Sequence, residues 1–181
     1  MQNKILEIKD LSVMYETDED RVYAVNGVDL TVNKGETLGI VGETGAGKTT
    51  TALSILRLLP KNSGKINSGE IIFDDVDLLQ LTEAEMRSIR GRKISIIFQD
   101  PMTSLNPVLT VGEQIAEVLE LHNTDNKSKD EIQKRLDEML ELVGIPANRK
   151  TEYPHQFSGG MKQRVVIAIA LACEPQLLIA D

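Results

Sequence analysis

Residues 42–49 combine glycines, a lysine and a threonine at the spacing of a phosphate-binding loop. Their sequence, GETGAGKT, fits the pattern G-x-x-x-x-G-K-[ST] at every position. In such a P-loop the glycines let backbone N–H groups surround the phosphates, the lysine reaches the β- and γ-phosphates, and the hydroxyl ligates Mg²⁺. We therefore predict that this loop and the residue after it bind a nucleoside triphosphate with Mg²⁺. The predicted residues are Gly42, Glu43, Thr44, Gly45, Ala46, Gly47, Lys48, Thr49 and Thr50.

A second stretch, Ser158-Gly159-Gly160, offers another place for a phosphate. It precedes a long apolar run, residues 165–172, which predicts a helix. Ser158 is suited to cap that helix, and the two glycines leave its first N–H groups uncovered. Because the N-terminus of a helix favours negative charge, we expect these three residues to contact a phosphate.

Three further side chains are candidates for the same chemistry. Residues 177–181 are apolar and end in Asp181, like the Walker B strand whose acid lies near the Mg²⁺ of a P-loop. Gln99 follows the apolar residues 94–98 and could contact Mg²⁺ or the attacking water, although a loop glutamine is more often a surface residue. Tyr15 could stack on adenine, and its type is equally compatible with packing in the core or at a sheet edge.

Apolar stretches predict the strands that would position these residues. An acidic turn from Glu16 to Asp20 joins the first two, and a polar loop occupies residues 61–68. The strands are predicted at 5–13, 22–32, 37–41, 70–73, 93–98 and 177–181.

Capping patterns and helical periodicity predict the helices. One helix is expected at 50–59, ended by Pro60, and the last at about 160–173. Capping boxes beginning at Thr82, Thr110 and Ser128 start three more. The third box leads into a helix that ends at Gly144. The apolar face of that helix is Ile132, Leu136, Met139, Leu140 and Val143.

The composition favours one acidic, intracellular domain. Of 181 residues, 41% are hydrophobic, and the net charge of -8 argues against a protein that binds nucleic acid by neutralising phosphates. The single cysteine, Cys173, excludes an internal disulfide, and its apolar neighbours predict a buried, unreactive thiol. No signal peptide is recognisable, and no apolar run approaches the roughly 20 residues of a membrane span. We expect His122 on the surface near a helix end and a structural role for His155.

Together these motifs resemble the ATP-binding subunits of ABC transporters. Tyr15 stands where the family has an aromatic side chain that stacks on adenine. The P-loop, Gln99, the signature motif at 157–161 and the Walker B strand follow in the family's order. The usual signature is LSGGQ, and FSGGM in this chain retains its serine and both glycines.

The resemblance implies an α/β fold, a P-loop NTPase core of the ABC ATPase type. Residues 1–74 would form an antiparallel β subdomain and the P-loop core, and about 75–156 a mainly helical subdomain. Residues 157–181 would supply the signature helix and the Walker B strand, with the C-terminal part of the core missing.

Two longer stretches resemble the ATPases of oligopeptide, dipeptide and nickel importers. They are residues 99–107, QDPMTSLNP, and residues 153–160, YPHQFSGG. The resemblance implies that the protein powers import of a solute, with peptides the first expectation and nickel the alternative. In this family the substrate is selected by the binding protein and the membrane subunits.

The resemblance also implies ATP, Mg²⁺ and protein partners. Two such subunits, identical or different, form a head-to-tail dimer in which the P-loop of one faces the signature helix of the other across ATP. Lys48, Gln99 and Asp181 are then catalytic, and Thr49, Gln99 and Asp181 lie at the metal. Transmembrane permease subunits couple to the Gln99 loop, and an extracytoplasmic solute-binding protein acts indirectly. The subunit is expected to be peripheral, at the cytoplasmic face of the cell membrane, and to bind no nucleic acid.

The 181 residues depart from the family pattern after Asp181. In the family the next residue is a glutamate that polarises the attacking water, and a dimer-contacting loop, a switch histidine and further core strands follow. We therefore expect weakened Mg-ATP binding, very slow hydrolysis at this chain's own P-loop, and an uncovered sheet edge with exposed apolar surface. A nucleotide-binding fragment without turnover is the alternative. An ABC-type ATPase of DNA repair or chromosome organisation is disfavoured, because only short helices and no cysteine separate P-loop and signature.

Overall fold

The computed structural model of the chain describes residues 3–16 and 20–181, with the backbone alone at positions 101 and 102. The predicted acidic turn therefore lies outside the described residues, apart from its two ends, Glu16 and Asp20. The chain divides into two compact units, Met1–Arg87 and Ser88–Asp181. The subdomain boundaries near residues 75 and 156 stay a prediction.

The first unit is built on a four-stranded antiparallel sheet. Its strands are β1 (Lys4–Glu16), β2 (Arg21–Asn33), β3 (Gly64–Phe73) and β4 (Val76–Asp77), in the order β2-β1-β3-β4. The first two strands confirm the prediction. The strand predicted at 70–73 begins earlier, at Gly64, so residues 64–68 were wrongly assigned to a loop; their mostly polar side chains are largely exposed, which hides the strand in the sequence.

The helix after the P-loop, α1 (Lys48–Ile55), is shorter than predicted and begins two residues earlier. It does not extend to Pro60, because Arg57 adopts a left-handed conformation with φ of 51°. The Arg57 guanidinium donates hydrogen bonds to the carbonyls of Leu78 and Leu81, which fixes this turn against a distant part of the unit. The next helix, α2 (Glu83–Ile89), follows the first capping box as predicted.

The strand predicted at 37–41 is wrong. These residues form no strand in the structure, and the side chains of Leu38, Ile40 and Val41 are 43%, 51% and 97% exposed. A strand is stabilised by hydrogen bonds to its neighbours, and none of the described strands pairs with this segment. An apolar run was therefore an insufficient basis for the prediction.

The second unit combines a two-stranded parallel sheet with helices. β5 (Ile94–Ile97) pairs with β6 (Leu177–Ala180), and the helices are α3 (Pro101–Ser104), α4 (Val111–Leu121), α5 (Lys129–Leu142) and α6 (Gly159–Leu171). Two short 3₁₀ helices, Ala147–Thr151 and Pro154–Gln156, lead into α6. Among the described strands, β6 pairs only with β5, and Leu178 is 40% exposed, which confirms the expected open edge.

The core of this unit lies between α4, α5 and α6. The capping boxes at Thr110 and Ser128 are both present, with their glutamates at Glu113 and Glu131. The predicted face of α5 is buried at Ile132, Leu136, Met139 and Leu140, and Val143 packs partly buried beside it.

The single cysteine and the two histidines differ in their surroundings. Cys173 is only half-buried and so less buried than predicted, but this burial raises the pKa of the thiol. His122 follows α4 and is half-buried rather than a surface residue, and this burial lowers its pKa. His155 stacks on Tyr153, with ring centroids 5.8 Å apart. No helix in residues 3–16 and 20–181 is long and apolar enough to cross a membrane.

Candidate nucleotide-binding site

The P-loop takes its shape from two glycines in the left-handed region. Gly45 and Gly47 both have φ of 84°, a conformation that side-chain-bearing residues rarely adopt. Gly47 also lies against β2, where a Cβ atom would come within 2.3 Å of the carbonyl oxygen of Ala24. Around Gly45 the same atom would meet nothing within 4 Å. The loop therefore has open space around Gly45 and packs closely against the sheet at Gly47.

Lys48 carries its ammonium group across this loop. Its Nζ donates hydrogen bonds to the carbonyl oxygens of Gly42, at 2.7 Å, and Glu43, at 2.8 Å. Gly47 is the N-cap of α1 without a side-chain hydrogen bond, and the first turn of the helix has no acidic residue. The loop thus presents a cation next to a helix N-terminus without a side-chain cap, as suits the binding of a polyphosphate.

Tyr15 lies beside the P-loop helix. Its hydroxyl oxygen is 3.4 Å from Thr50 Oγ1, and its ring approaches Gly64, where a Cβ atom would come within 3.2 Å of it. Thr50 is itself buried, whereas the neighbouring Thr49 side chain is exposed. The residue type alone did not decide where Tyr15 lies. In the structure Tyr15 lies near the end of β1, next to α1.

Gln99 and Asp181 follow the C-terminal ends of the two strands of the parallel sheet. Ile97 pairs with Ala180 at the ends of β5 and β6, and the Asp181 N–H donates to the Ile97 carbonyl at 3.0 Å. Asp181 follows β6 directly, Gln99 follows β5 after one intervening residue, and both side chains are exposed. A carboxylate and an amide are hard oxygen donors of the kind that Mg²⁺ prefers. The described residues contain no cluster of three or more His, Cys, Asp or Glu side chains placed for a metal.

Ser158 caps α6 as predicted. Its hydroxyl accepts a hydrogen bond from the Met161 N–H at 3.4 Å, and the first turn contains no acidic residue. Gly159 and Gly160 are exposed, and a Cβ atom on either would meet nothing within 4 Å. This helix end is therefore open to an anion arriving from outside the unit.

Two residues that support these motifs were missed in the sequence. The buried Gln114 amide accepts from the Asn106 N–H at 2.9 Å and donates to the carbonyls of Asn106 and Leu109, at 3.0 and 3.1 Å. It thereby anchors the end of the 99–107 stretch to α4. The Arg149 guanidinium lies over the Phe157 ring and donates a hydrogen bond to Met161 Sδ. Neither has a local sequence signal, because each acts on residues several positions away.

The predicted site residues fall into two groups. Tyr15 and the P-loop belong to the first unit, and Gln99, Asp181 and the Ser158 helix to the second. In the first unit Tyr15 lies beside the P-loop helix, and in the second Gln99 and Asp181 follow paired strands, while Ser158 lies at the start of α6. A joint metal site of Thr49 with Gln99 and Asp181 stays a prediction.

Comparison with known proteins identifies relatives along nearly the whole chain. Residues 25–181 match the model of a family described as ABC transporter. The chain is 52% identical over 180 residues to the oligopeptide transport ATP-binding protein OppD of Bacillus subtilis, and 53% identical over 180 residues to the dipeptide transport ATP-binding protein DppD of that organism. These matches cover 98% of this chain but 50% and 53% of those proteins. The chain thus spans about half the length of the curated relatives it matches.

Solved structures share the same fold. The ATP-binding cassette MJ0796, in a dimeric post-hydrolysis state bound to ADP and Pi, superposes with a TM-score of 0.85 at 32% identity. That match covers 97% of this chain and 73% of that one. CbiO1 of Clostridium perfringens, part of the ABC transporter complex CbiONQ, gives a TM-score of 0.79 at 30% identity, covering 99% and 66%. The fold is that of an ABC ATPase cassette, which confirms the expected α/β class.

Proposed function

The chain belongs to the ABC transporter family, and we propose that it is the ATP-binding and ATP-hydrolysing part of an importer of di- and oligopeptides. The observation that carries the proposal is the P-loop, in which the Lys48 ammonium spans the Gly42 and Glu43 carbonyls in front of the open N-terminus of α1. The peptide substrate is supported by relatives described as oligopeptide and dipeptide transport proteins. No feature of the chain favours nickel over peptides.

The predicted site residues have separate roles toward the nucleotide and its metal ion. The P-loop N–H groups and Lys48 hold the phosphates of ATP, and Tyr15 packs against the adenine. Thr49, Gln99 and Asp181 would hold Mg²⁺, which would neutralise charge on the phosphate oxygens. Gln99 and Asp181 fit this role, because they come within two residues of the ends of two paired strands. The Asp181 N–H joins these ends through its hydrogen bond to the Ile97 carbonyl.

Ser158, Gly159 and Gly160 serve a second ATP-binding subunit. Their helix end is exposed and free of acidic side chains, so it can approach the phosphates bound by a partner. The relative MJ0796 is dimeric with ADP and Pi bound, which supports this arrangement. The remaining partners are permease subunits and, indirectly, a solute-binding protein, and the protein would lie peripherally at the cytoplasmic membrane face.

Nucleotide binding is tested by titrating the chain with a fluorescent ATP analogue in the presence of Mg²⁺. We expect saturable binding that Lys48→Ala weakens at least about tenfold, since a charged contact to phosphate contributes roughly 1.5–3 kcal/mol. Arg21→Ala, which removes a solvent-exposed cation paired with Glu16 on the sheet, serves as the charge-matched control. Equal affinity of the wild type and Lys48→Ala would contradict the site.

Turnover and substrate need separate measurements. We expect the 181-residue chain to hydrolyse ATP very slowly, and robust steady-state turnover that Lys48→Ala abolishes would contradict this. For the substrate, uptake of a labelled tripeptide and of ⁶³Ni²⁺ is compared between host cells whose own gene for this protein is unchanged and host cells in which that gene carries Lys48→Ala. Loss of peptide uptake alone supports the proposal, and loss of nickel uptake alone overturns it.

A further inference from the structure

We propose that Arg149 positions the signature residues Ser158–Gly160 for the phosphates of a partner subunit. This inference rests on the proposed function, because it concerns the same helix end. Arg149 lies in the 3₁₀ helix Ala147–Thr151, nine residues before Ser158. Its guanidinium stacks over the ring of Phe157, with Cζ 4.4 Å from the ring centroid. Phe157 is the residue directly before Ser158, so this contact fixes the chain at the entrance to α6.

The same guanidinium reaches both sides of the signature. Its Nη2 donates to the Gln156 carbonyl at 3.4 Å, and its Nη1 donates to Met161 Sδ at 3.4 Å. One planar group therefore contacts the residues before Ser158 and the last residue of the motif. A Cβ atom on Gly159 or Gly160 would meet nothing within 4 Å, so Arg149 fixes the motif through the residues on either side of these glycines.

Glu152 holds Arg149 in this orientation. Nε donates to Glu152 Oε1 at 3.0 Å, and Nη2 donates to Oε2 at 2.6 Å, which is the two-pronged geometry of an arginine–carboxylate pair. The pairing raises the pKa of Arg149 and lowers that of Glu152, so both stay charged at neutral pH. Because the carboxylate neutralises the guanidinium, the pair adds little net field at the helix end. Arg149 thus acts by geometry, as a positioning residue.

A lysine at this position lacks the required shape. An ammonium group cannot lie flat on Phe157 while it bonds to a carboxylate, a carbonyl and a sulfur atom in one plane. Phe157 itself is buried in the core of the second unit and would stay there in the variant. The substitution Arg149→Lys therefore keeps the charge and the fold but releases the exposed residues that follow Phe157.

The test is nucleotide-driven dimerisation of the intact protein, measured by sedimentation equilibrium with Mg²⁺ and a non-hydrolysable ATP analogue. We expect Arg149→Lys to weaken dimerisation on the order of tenfold, since stacking and bidentate bonding are both lost. Affinity of the monomer for a fluorescent ADP analogue, which reports the protein's own P-loop, should stay within about twofold. If Arg149 only stabilised the fold, Arg149→Lys would weaken both dimerisation and binding of the ADP analogue, and it would lower the melting temperature.

Arg135→Lys is the matched control. Arg135 is also half-buried, pairs with Glu174 at 2.8 Å, and donates to a carbonyl of the segment after α6, that of Ala172. It lies at the opposite end of α6 from Ser158, so its replacement should leave dimerisation unchanged. Equal weakening by Arg135→Lys and Arg149→Lys would overturn the inference.

A double-mutant cycle with Phe157→Leu tests the route of the effect. Leucine removes the ring on which the guanidinium lies, so Arg149→Lys should weaken dimerisation less than about threefold in this background. An undiminished tenfold effect would show that Arg149 does not act through Phe157. If the wild type dimerises and Arg149→Lys dimerises equally, only this inference fails. If the wild type neither binds nucleotide nor dimerises with it, the proposed function fails as well.

Discussion

At the scale of single residues, the two left-handed glycines of the P-loop have different surroundings. Gly45 and Gly47 share the same φ, but only Gly47 would bring a Cβ atom against the Ala24 carbonyl. The consensus pattern fixes a glycine at position 47 but allows any residue at position 45. The structure shows that Gly45 is required for its backbone conformation alone, whereas Gly47 is required for that conformation and for a close approach to β2.

We predict unequal effects of alanine at these two positions. Gly45→Ala should lower the free energy of unfolding by about 1–2 kcal/mol, the cost of a left-handed residue with a side chain. Gly47→Ala should cost clearly more, because the P-loop or β2 must also move. Urea unfolding of both variants measures the difference, and equal losses would show that the contact with Ala24 relaxes without cost.

At the scale of elements, the sequence predicted best what local contacts decide. The capping boxes of α2, α4 and α5 each join residues three positions apart, and all three were found where the pattern placed them. The segment 37–41 was mistaken for a strand, because pairing partners are not visible in a local pattern. The early end of α1 depends on Arg57 bonding to carbonyls more than twenty residues away.

The same distance limit applies to the candidate site. The P-loop and the Ser158 cap are contiguous motifs and could be predicted from residue types. The place of Tyr15 beside Thr50 depends on the pairing of β1 with β3 and on the packing of α1. Arg149 was missed because its contacts extend from Glu152 to Met161 and follow no known pattern.

The capping box of α5 predicts that the free energy of unfolding depends on pH. Hydrogen bonds from the backbone and hydroxyl of Ser128 lower the pKa of Glu131 below its usual 4.5. A lowered folded-state pKa means that the stabilisation is complete above the unfolded-state value and is lost as the pH falls through the folded-state value. Glu131→Gln keeps an acceptor at this position but has no proton to gain. The stability advantage of the wild type over Glu131→Gln should therefore shrink between pH 6 and about pH 3.5.

Urea unfolding at both pH values measures this advantage. The other two capping boxes are present in both proteins, so their own titration cancels in the difference. A constant advantage across the range would show that the Glu131 carboxylate contributes nothing specific to its charge.

At the scale of the whole molecule, both units expose apolar surface beside open backbone. Val41 is almost fully exposed in the first unit, and Leu178 is 40% exposed on the open edge strand β6 of the second. Unpaired strand edges and contiguous apolar surface promote association between chains. We predict that the 181-residue chain self-associates as its concentration rises, and that Val41→Lys and Leu178→Lys each reduce this association.

Sedimentation velocity over a series of concentrations measures the association. Leu142→Lys is the control, because Leu142 is 65% exposed on α5 and away from any strand edge. If Leu142→Lys reduced association as strongly as the other two, surface hydrophobicity in general would be the cause. A chain that stayed monomeric throughout would contradict the prediction.

The hydrogen bonds of Lys48 to its own loop have a consequence for affinity. A lysine side chain free in solution loses rotamer entropy worth up to about 2 kcal/mol when it is held in one position. In this protein the Gly42 and Glu43 carbonyls of the same loop hold the ammonium group. The entropy is therefore lost during folding and not when the nucleotide arrives. Ordering the lysine therefore lowers the stability of the folded protein and strengthens the binding of phosphate, as expected of a preorganised site.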